Sequence, residues 1–436
     1  MTRRARFVAR ALLALVGLAT LAARAQPARA EAAAVADAKT ARETLRLALL
    51  ARFDRELRDN PAAAAEKLRR MAKGNFGFFR GSLGLYPASP SRFARPAPAV
   101  ATAVIGDPHP ENIGTFVTTD GQTVVDFNDF DQAGFGWFIE DLRRLALGLY
   151  IAGDAADVAK KQRARQVQAA VEGYVAELRG LGKGEAPLAL RAASAFGGDL
   201  ASILAPPPAP LGDPTAAPLP ADDVKKIQAA LLKARSTLLK PAQFSSGFFT
   251  VKKAVRAHGG IASFFLQRIR VQVEGAGPGD DDDVVLELKE TPAGQAETLV
   301  KLQRELQERP DEDPLLGHTD LDGKSFRTRS FGADRRSVSV ERLAHEVKGP
   351  RWGKKDLRLF GYQAGQLLGR GHARARGADG RPGLTSLLPI IGDGADLAAE
   401  TIAVTAAEAA RLETDVDNLR ALVKELGPTL GWKPNN

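Results

Sequence analysis

The chain has 436 residues, 44% of them hydrophobic and 26% charged, with 61 Lys and Arg against 52 Asp and Glu for a formal net charge of +9. It contains no cysteine, which excludes disulfides, thiolate metal sites and a cysteine nucleophile. The apolar share is that of an ordinary globular protein, and no basic run interleaved with aromatics marks a nucleic-acid partner.

The N-terminus carries Arg3, Arg4, Arg6 and Arg10 with no acid, then an apolar run from Ala11 to Leu21, then Ala23-Arg24-Ala25 and Ala28-Arg29-Ala30. Basic start, short apolar run and small-residue exit, in that order, predict an export signal over residues 1–25. The mature protein then begins near Gln26 or Glu31, in the periplasm or secreted. Arg3-Arg4 with Phe7 suggests the twin-arginine route. The run is shorter than the ~20 residues of a spanning helix, so no stable membrane insertion is expected after cleavage. Loss of the five arginines Arg3, Arg4, Arg6, Arg10 and Arg24 takes the net charge from +9 to +4.

Residues 26–73 form an N-terminal helical segment, since Glu31 to Lys73 is rich in Ala, Leu, Arg and Glu and has no glycine. Gly74 to Pro98 is rich in Gly, Pro and aromatics and reads as irregular. It opens a lobe over 74–245. Val100–Ile105 is a strand candidate; Ile113–Val117 and Gln122–Asp126 form a hairpin across Asp120-Gly121. From Asp141 the period turns helical, with Leu142, Leu145 and Leu149 on one face, and a second helix carries Val167, Val171, Tyr174 and Leu178. Residues 205–222 are a Pro/Ala-rich linker. A β-rich region over 246–345 includes Ile269, Val271 and Val273 on one face, an acidic loop at Gly275–Asp283, a helix at Ala296–Leu306 and a strand at Ser337–Leu343. Residues 346–436 are C-terminal helices, at Leu357–Ala375 and Leu397–Leu426. The order predicts an α+β fold.

Chemistry concentrates in the loop Gly106-Asp107-Pro108-His109-Pro110-Glu111-Asn112 and in the hairpin end Val125-Asp126-Phe127-Asn128-Asp129-Phe130-Asp131. Asn112 and Asp126 flank the hairpin, so they are expected close together. Mg²⁺ takes a few hard oxygen ligands and keeps the rest of its waters; Asn112 and Asp126 could supply them and leave Asp107 as a base.

This pattern resembles the catalytic and metal loops of protein-kinase-like phosphotransferases. The nearest likeness is the aminoglycoside and choline kinase branch, whose loop reads Gly-Asp-x-His-x-x-Asn. From Phe76–Arg80, Asn128–Asp131, Asp141–Ala146 and the Gly-Arg-Gly-His-Ala run around Gly371-His372, the chain resembles bacterial domain-of-unknown-function family 2252 over roughly residues 50 to 380. The resemblance implies a two-lobed fold in circularly permuted order, with the β-rich nucleotide lobe after the catalytic loop. It makes Asp107 the catalytic base or hydroxyl-positioning group, with His109 as a catalytic or loop-bracing histidine. Asn112 and Asp126 become Mg²⁺ ligands, Asp129 a second metal or substrate contact, and Asp141 an acceptor for loop amides. ATP would be held by Gly260, Ser263 and Lys289, with Glu297 or Glu305 pairing Lys289. Arg80 is read separately as a substrate or phosphate contact, because arginine forks suit anions, or else as a brace of the core. Asp107 and Lys289 should then face one cleft. Ala262 and Phe265 stand where the family pattern has glycines, which weakens the phosphate grip.

The expectation is a Mg²⁺-dependent, ATP-using phosphotransferase acting on a small-molecule or protein hydroxyl. One alternative is an exported, catalytically weakened kinase-like protein that binds a nucleotide, phosphate or envelope ligand. The other is a metal-dependent hydrolase built on Asp126, Asp129, Asp131 and His109. His372 reads either as functional or as a packed, hydrogen-bonded histidine.

Overall fold

The computed structural model describes residues 37–86, 88–93, 102–118, 120–209, 211, 217–257, 266–277, 279–292, 294–332, 334–349 and 351–433. The expected export signal, and Gly260 and Ser263, lie outside the described residues. The fold is α+β, in two compact units: one of residues up to 72 together with 413 onward, the other of residues 73–412.

In the first unit the helices are α1 (37–52), α2 (Asp54–Asp59) and α3 (Pro61–Ala72). Their apolar period buries Leu45, Leu49, Phe53, Leu57, Leu68 and Met71. The end of the long helix Ala395–Leu426 adds Val416, Leu419 and Leu422 to the buried set. Among the described residues, no helix is long and apolar enough to cross a membrane.

The second unit opens with α4 (Asn75–Gly81), which buries Phe78 and Phe79. The expected irregular segment thus begins as a helix: its two glycines lower helix propensity, but the phenylalanines give it a face to bury. Two short ladders follow. β1 (Thr102–Val104) pairs β4 (Gly134–Gly136), and β2 (Ile113–Val117) pairs β3 (Thr123–Phe127), with Gly114 opposite Asp126. Between β1 and β2 lies the loop of Asp107 and Asn112. Its Gly106 has φ +84°, and a Cβ there would stand 2.1 Å from the Gln132 carbonyl oxygen, so only glycine fits.

Helices α5 (Phe138–Ala155) and α6 (Lys160–Gly182) carry the main core, including Leu142, Leu145, Leu149, Val171 and Tyr174. Two helices follow, the single-turn α7 (Leu200–Ile203) and the longer α8 (Ala221–Ser236). The β-rich region is one five-stranded antiparallel sheet, β5 (Val251–Ala257), β6 (Arg268–Val273), β7 (Val284–Glu290), β9 (Lys324–Ser330) and β8 (Gly317–Leu321), in that spatial order. Ile269, Val271 and Val273 fill one face as expected, packed with Ile227 and Leu231 of α8. The period of two sends Arg268, Arg270, Glu287, Lys289, Arg327 and Arg329 to the other face. There the strand register sets Arg268, Lys289 and Arg327 in one row and Arg270, Glu287 and Arg329 in the next.

Helix α9 (Ala296–Leu306) links β7 to β8 in sequence. The strand expected at Ser337–Leu343 is instead a helix, α10 (Val340–Lys348). Ser339 caps it by accepting the Arg342 N–H at 3.2 Å, and only single bridges at Ser337 and Val338 remain of the strand. The last helix before the C-terminal pair, α11 (Lys354–Arg374), runs against α6 with backbones touching. A Cβ on Gly365 would lie 1.8 Å from the Ala170 carbonyl oxygen, and one on Gly173 would lie 2.0 Å from that of Tyr362. This close crossing makes α11 part of the central core rather than of a separate C-terminal segment.

Candidate functional site

The loop between β1 and β2 is held from behind. Asp141, in the first turn of α5, accepts the Ile105 N–H at 2.6 Å and the Gly106 N–H at 2.9 Å. His372 of α11, fully buried, sits 3.1 Å from the same carboxylate through Nε2 and 3.0 Å from the Tyr174 hydroxyl through Nδ1. A neutral imidazole with its proton on Nε2 satisfies both contacts, donating to Asp141 and accepting from Tyr174. Burial, with Asp141 nearby, raises the Tyr174 hydroxyl well above its ordinary pKa and keeps it a donor. His372 is therefore a packed, hydrogen-bonded histidine that positions Asp141.

Within the loop, the Asn112 side-chain N–H donates to the Asp107 carbonyl at 2.9 Å. The Asp107 carboxylate takes Arg144 Nε on Oδ1 at 2.7 Å, while His109 Nε2 lies 3.7 Å from Oδ2. Arg144 lies over the Phe79 ring at 3.5 Å and donates to the Phe79 carbonyl. His109 is edge-on to Phe76 and Phe79. Burial pushes its pKa down to about 3, against the pull of Asp107. The ring is thus neutral near pH 7, and neither ring nitrogen has a hydrogen-bond partner among the described residues.

At the hairpin's end the acids divide between two places. Asp129 pairs Lys289 Nζ at 3.3 Å, and Asp131 pairs both Lys289 and Arg327. Burial pulls Lys289 down to about 7, with Arg329 and Arg327 adding to the effect and Asp129 opposing it. Asp129 resists the rise that burial would give, because Lys289, Arg327 and Arg329 hold its carboxyl below the usual range. Asp126 is elsewhere. Its carboxylate pairs Arg370 of α11 and accepts the N–H of Glu308 at 2.9 Å and of Phe127 at 2.8 Å. Asn112 and Asp126, expected together at one metal, have different partners here: the Asn112 side chain bonds within its loop, while Arg370 of α11 and two backbone amides engage the oxygens of Asp126. The lysine's partner also differs from expectation. Glu297 is exposed and Glu305 accepts the Arg376 N–H, so neither meets Lys289; the loop after β3 supplies Asp129 and Asp131 instead.

Beside this cluster lies a cavity of about 320 Å³. Arg80, Arg268, Arg329 and Arg335 line it, with Glu111, Asp129, Asn112 and Asn128. Neither Asp107 nor Lys289 is among its lining residues. Arg80 reaches it from α4 and pairs Glu111 at 2.8 Å. Among the described residues, no three His, Cys, Asp or Glu side chains are grouped so as to hold a metal. Asn112 and Asp129, with Glu111 and Asn128, put hard oxygens on the cavity wall.

Sequence reasoning missed Arg268, Arg329 and Arg335 in the wall, and Arg144 and Arg370 behind it. Two signals could have found the strand arginines: Arg268-Ile269-Arg270 and Arg327-Thr328-Arg329 repeat a cation at the period of a strand, which puts each pair on one face.

Residues 58–203 match the model of a family described as an uncharacterized protein conserved in bacteria (DUF2252). The matched stretch holds Arg80, Asp107, Asn112, Asp129 and Asp141 and ends before Lys289 and His372. No curated protein and no solved structure matches the chain.

Proposed function

We propose that this chain is a kinase-like, Mg²⁺-dependent phosphotransferase of the periplasm or cell exterior, using ATP to phosphorylate a hydroxyl on a small molecule or protein. One observation carries the reading. Lys289, a strand lysine that the resemblance assigns to phosphate, lies 3.3 Å from Asp129 in the loop that the resemblance assigns to metal, despite the permuted order of the two segments.

In this reading the Asp107 loop presents the group that orients or deprotonates the hydroxyl. Arg144 holds Oδ1 at 2.7 Å, which leaves Oδ2 to face a hydroxyl. Asn112 fixes the loop backbone, and the Tyr174–His372–Asp141 chain keeps the loop in register. Asn112 and Asp129 fit Mg²⁺, which commonly takes only one or two protein oxygens beside phosphate. Asp126 does not fit, because Arg370 and two amides occupy it. Bound Mg²⁺ would supply positive charge opposite the phosphoryl oxygens.

A second reading, an anion-binding protein without turnover, is favoured by one specific observation: Asp107 is only 5% exposed and stands outside the cavity wall. Titration of ATP with and without Mg²⁺ tests the first reading. Magnesium-dependent binding supports it; absence of nucleotide binding under both conditions defeats it.

A further inference from the structure

The wall of the 320 Å³ cavity is unbalanced in charge. Four arginines, Arg80, Arg268, Arg329 and Arg335, face two carboxylates, Glu111 and Asp129. The charges behind the wall cancel: Glu287, Asp313 and Asp131 stand against Arg270, Arg327 and Lys289. Glu287 alone serves three guanidiniums, with Arg329 at 2.7 Å, Arg268 at 3.6 Å and Arg270 at 3.9 Å. With Asp334 also acting on Arg335, the described cluster keeps an excess of about one positive charge.

Among the described residues, Phe331 is the one aromatic of the wall, and the Arg270 guanidinium covers that ring at 3.9 Å. The remaining lining is short, with polar Thr115, Asn128, Ser337 and Ser339 beside apolar Ala205 and Val338. At about 320 Å³ the cavity is at the small end of ligand pockets, roughly 300–1,000 Å³. Guanidinium forks match phosphate oxygens in pairs.

We propose that this cavity binds a small phosphomonoester dianion with a polar, non-aromatic body, and that this molecule, not the nucleotide, is what the four arginines recognise. The inference rests on the reading of this cleft as a phosphotransferase site and names its acceptor class. It also predicts that the arginines do not hold an organic cation such as choline.

The test is calorimetric titration of glycerol 3-phosphate into the purified protein, alone and with a saturating non-hydrolysable ATP analogue plus Mg²⁺, with choline as the cationic comparison. Glycerol 3-phosphate should bind at one site under both conditions, and choline should not bind. Arg80→Gln should weaken glycerol 3-phosphate at least tenfold, whereas Glu111→Gln, which removes a negative charge at the same place, should leave affinity equal or tighter. No binding, binding unaffected by Arg80→Gln, or choline binding overturns the proposal. Loss of the site when the nucleotide analogue is present also overturns it, because the arginines then hold nucleotide phosphates. If glycerol 3-phosphate binds and the analogue never does, the acceptor site stands and the phosphotransferase reading falls.

Discussion

The ammonium of Lys289 lies 3.3 Å from the Asp129 carboxylate across a sequence separation of 160 residues, and it is 1% exposed. Burial beside Arg327 and Arg329 brings its pKa to about 7, so a modest pH change alters its charge. Below about 7 the lysine is charged and attracts an anion; above it the charge is lost. Nucleotide affinity should therefore fall as pH rises from 6.5 to 8.5, and the slope should vanish in Lys289→Met. The folded-state pKa lies below the unfolded value, so the unfolded chain binds the extra proton between about 7 and 10.5, and this group's contribution to stability rises with pH through that window. Equal pH slopes in parent and variant would count against Lys289 as the anion's partner.

Asp126 and Arg370 form a buried ion pair, 1% exposed at each partner. Removing one partner leaves an uncompensated charge, and Asp126→Ala should lose about 3–5 kcal/mol in a denaturant titration. The double change Asp126→Leu with Arg370→Met should be less destabilised than either single change. A metal ligand would behave otherwise: its loss would abolish a Mg²⁺ response while leaving the apoprotein as stable as the parent.

His109 should make the protein acid-sensitive. Its folded pKa of about 3 lies below the unfolded value of about 6.5. Between these values only the unfolded chain takes the proton, so stability falls as pH drops from about 6.5 towards 3, by up to about 1.4 kcal/mol per pH unit. His109→Leu should flatten that part of the stability–pH curve. A curve of unchanged slope in the variant would show that other groups carry the acid response.

The α6–α11 crossing sets where Arg370 and His372 stand. Gly365→Val places a Cβ within 1.8 Å of the Ala170 carbonyl and should cost about 1–3 kcal/mol or more in thermal unfolding. A substitution on an exposed helical position, such as Glu413→Ala, should stay within about 0.5 kcal/mol. Equal melting temperatures for the two variants would refute the close contact.

Local patterns were readable in the sequence, and long-range pairings were not. Asp120-Gly121 announced the hairpin, the period of two placed Ile269, Val271 and Val273 on a buried face, and the spacing of Leu142, Leu145 and Leu149 marked α5. The Ser337–Leu343 run alternates well enough for a strand, yet Ser339 is a helix cap, and cap and strand start are hard to tell apart in a short apolar run. The Pro/Ala-rich approach masks the start of α8 in the sequence, although Asp222 and Asp223 in its first turn are a helix-start signal. Asp126 was misplaced for a different reason. Its position on the hairpin is local, but the arginine that captures it lies 244 residues away. The glycines Gly361, Gly365 and Gly369, spaced every fourth residue, were the available sign that α11 would approach another helix closely.

In the proposed phosphotransferase, the Asp107 loop performs phosphoryl transfer while Lys289, Asp129 and Asn112 hold the nucleotide and its metal. The most direct measurement compares the parent protein with Asp107→Asn for Mg²⁺-dependent ATP binding by calorimetry and for ADP formation with glycerol 3-phosphate present. Asparagine keeps the shape and the backbone contact from Asn112 but removes the carboxylate. Both proteins should bind Mg²⁺·ATP with affinities within a few-fold of each other, and only the parent should form ADP at a rate that depends on glycerol 3-phosphate. Equal ADP formation by both, or no Mg²⁺-dependent ATP binding by the parent, would rule out Asp107 as the group that serves phosphoryl transfer.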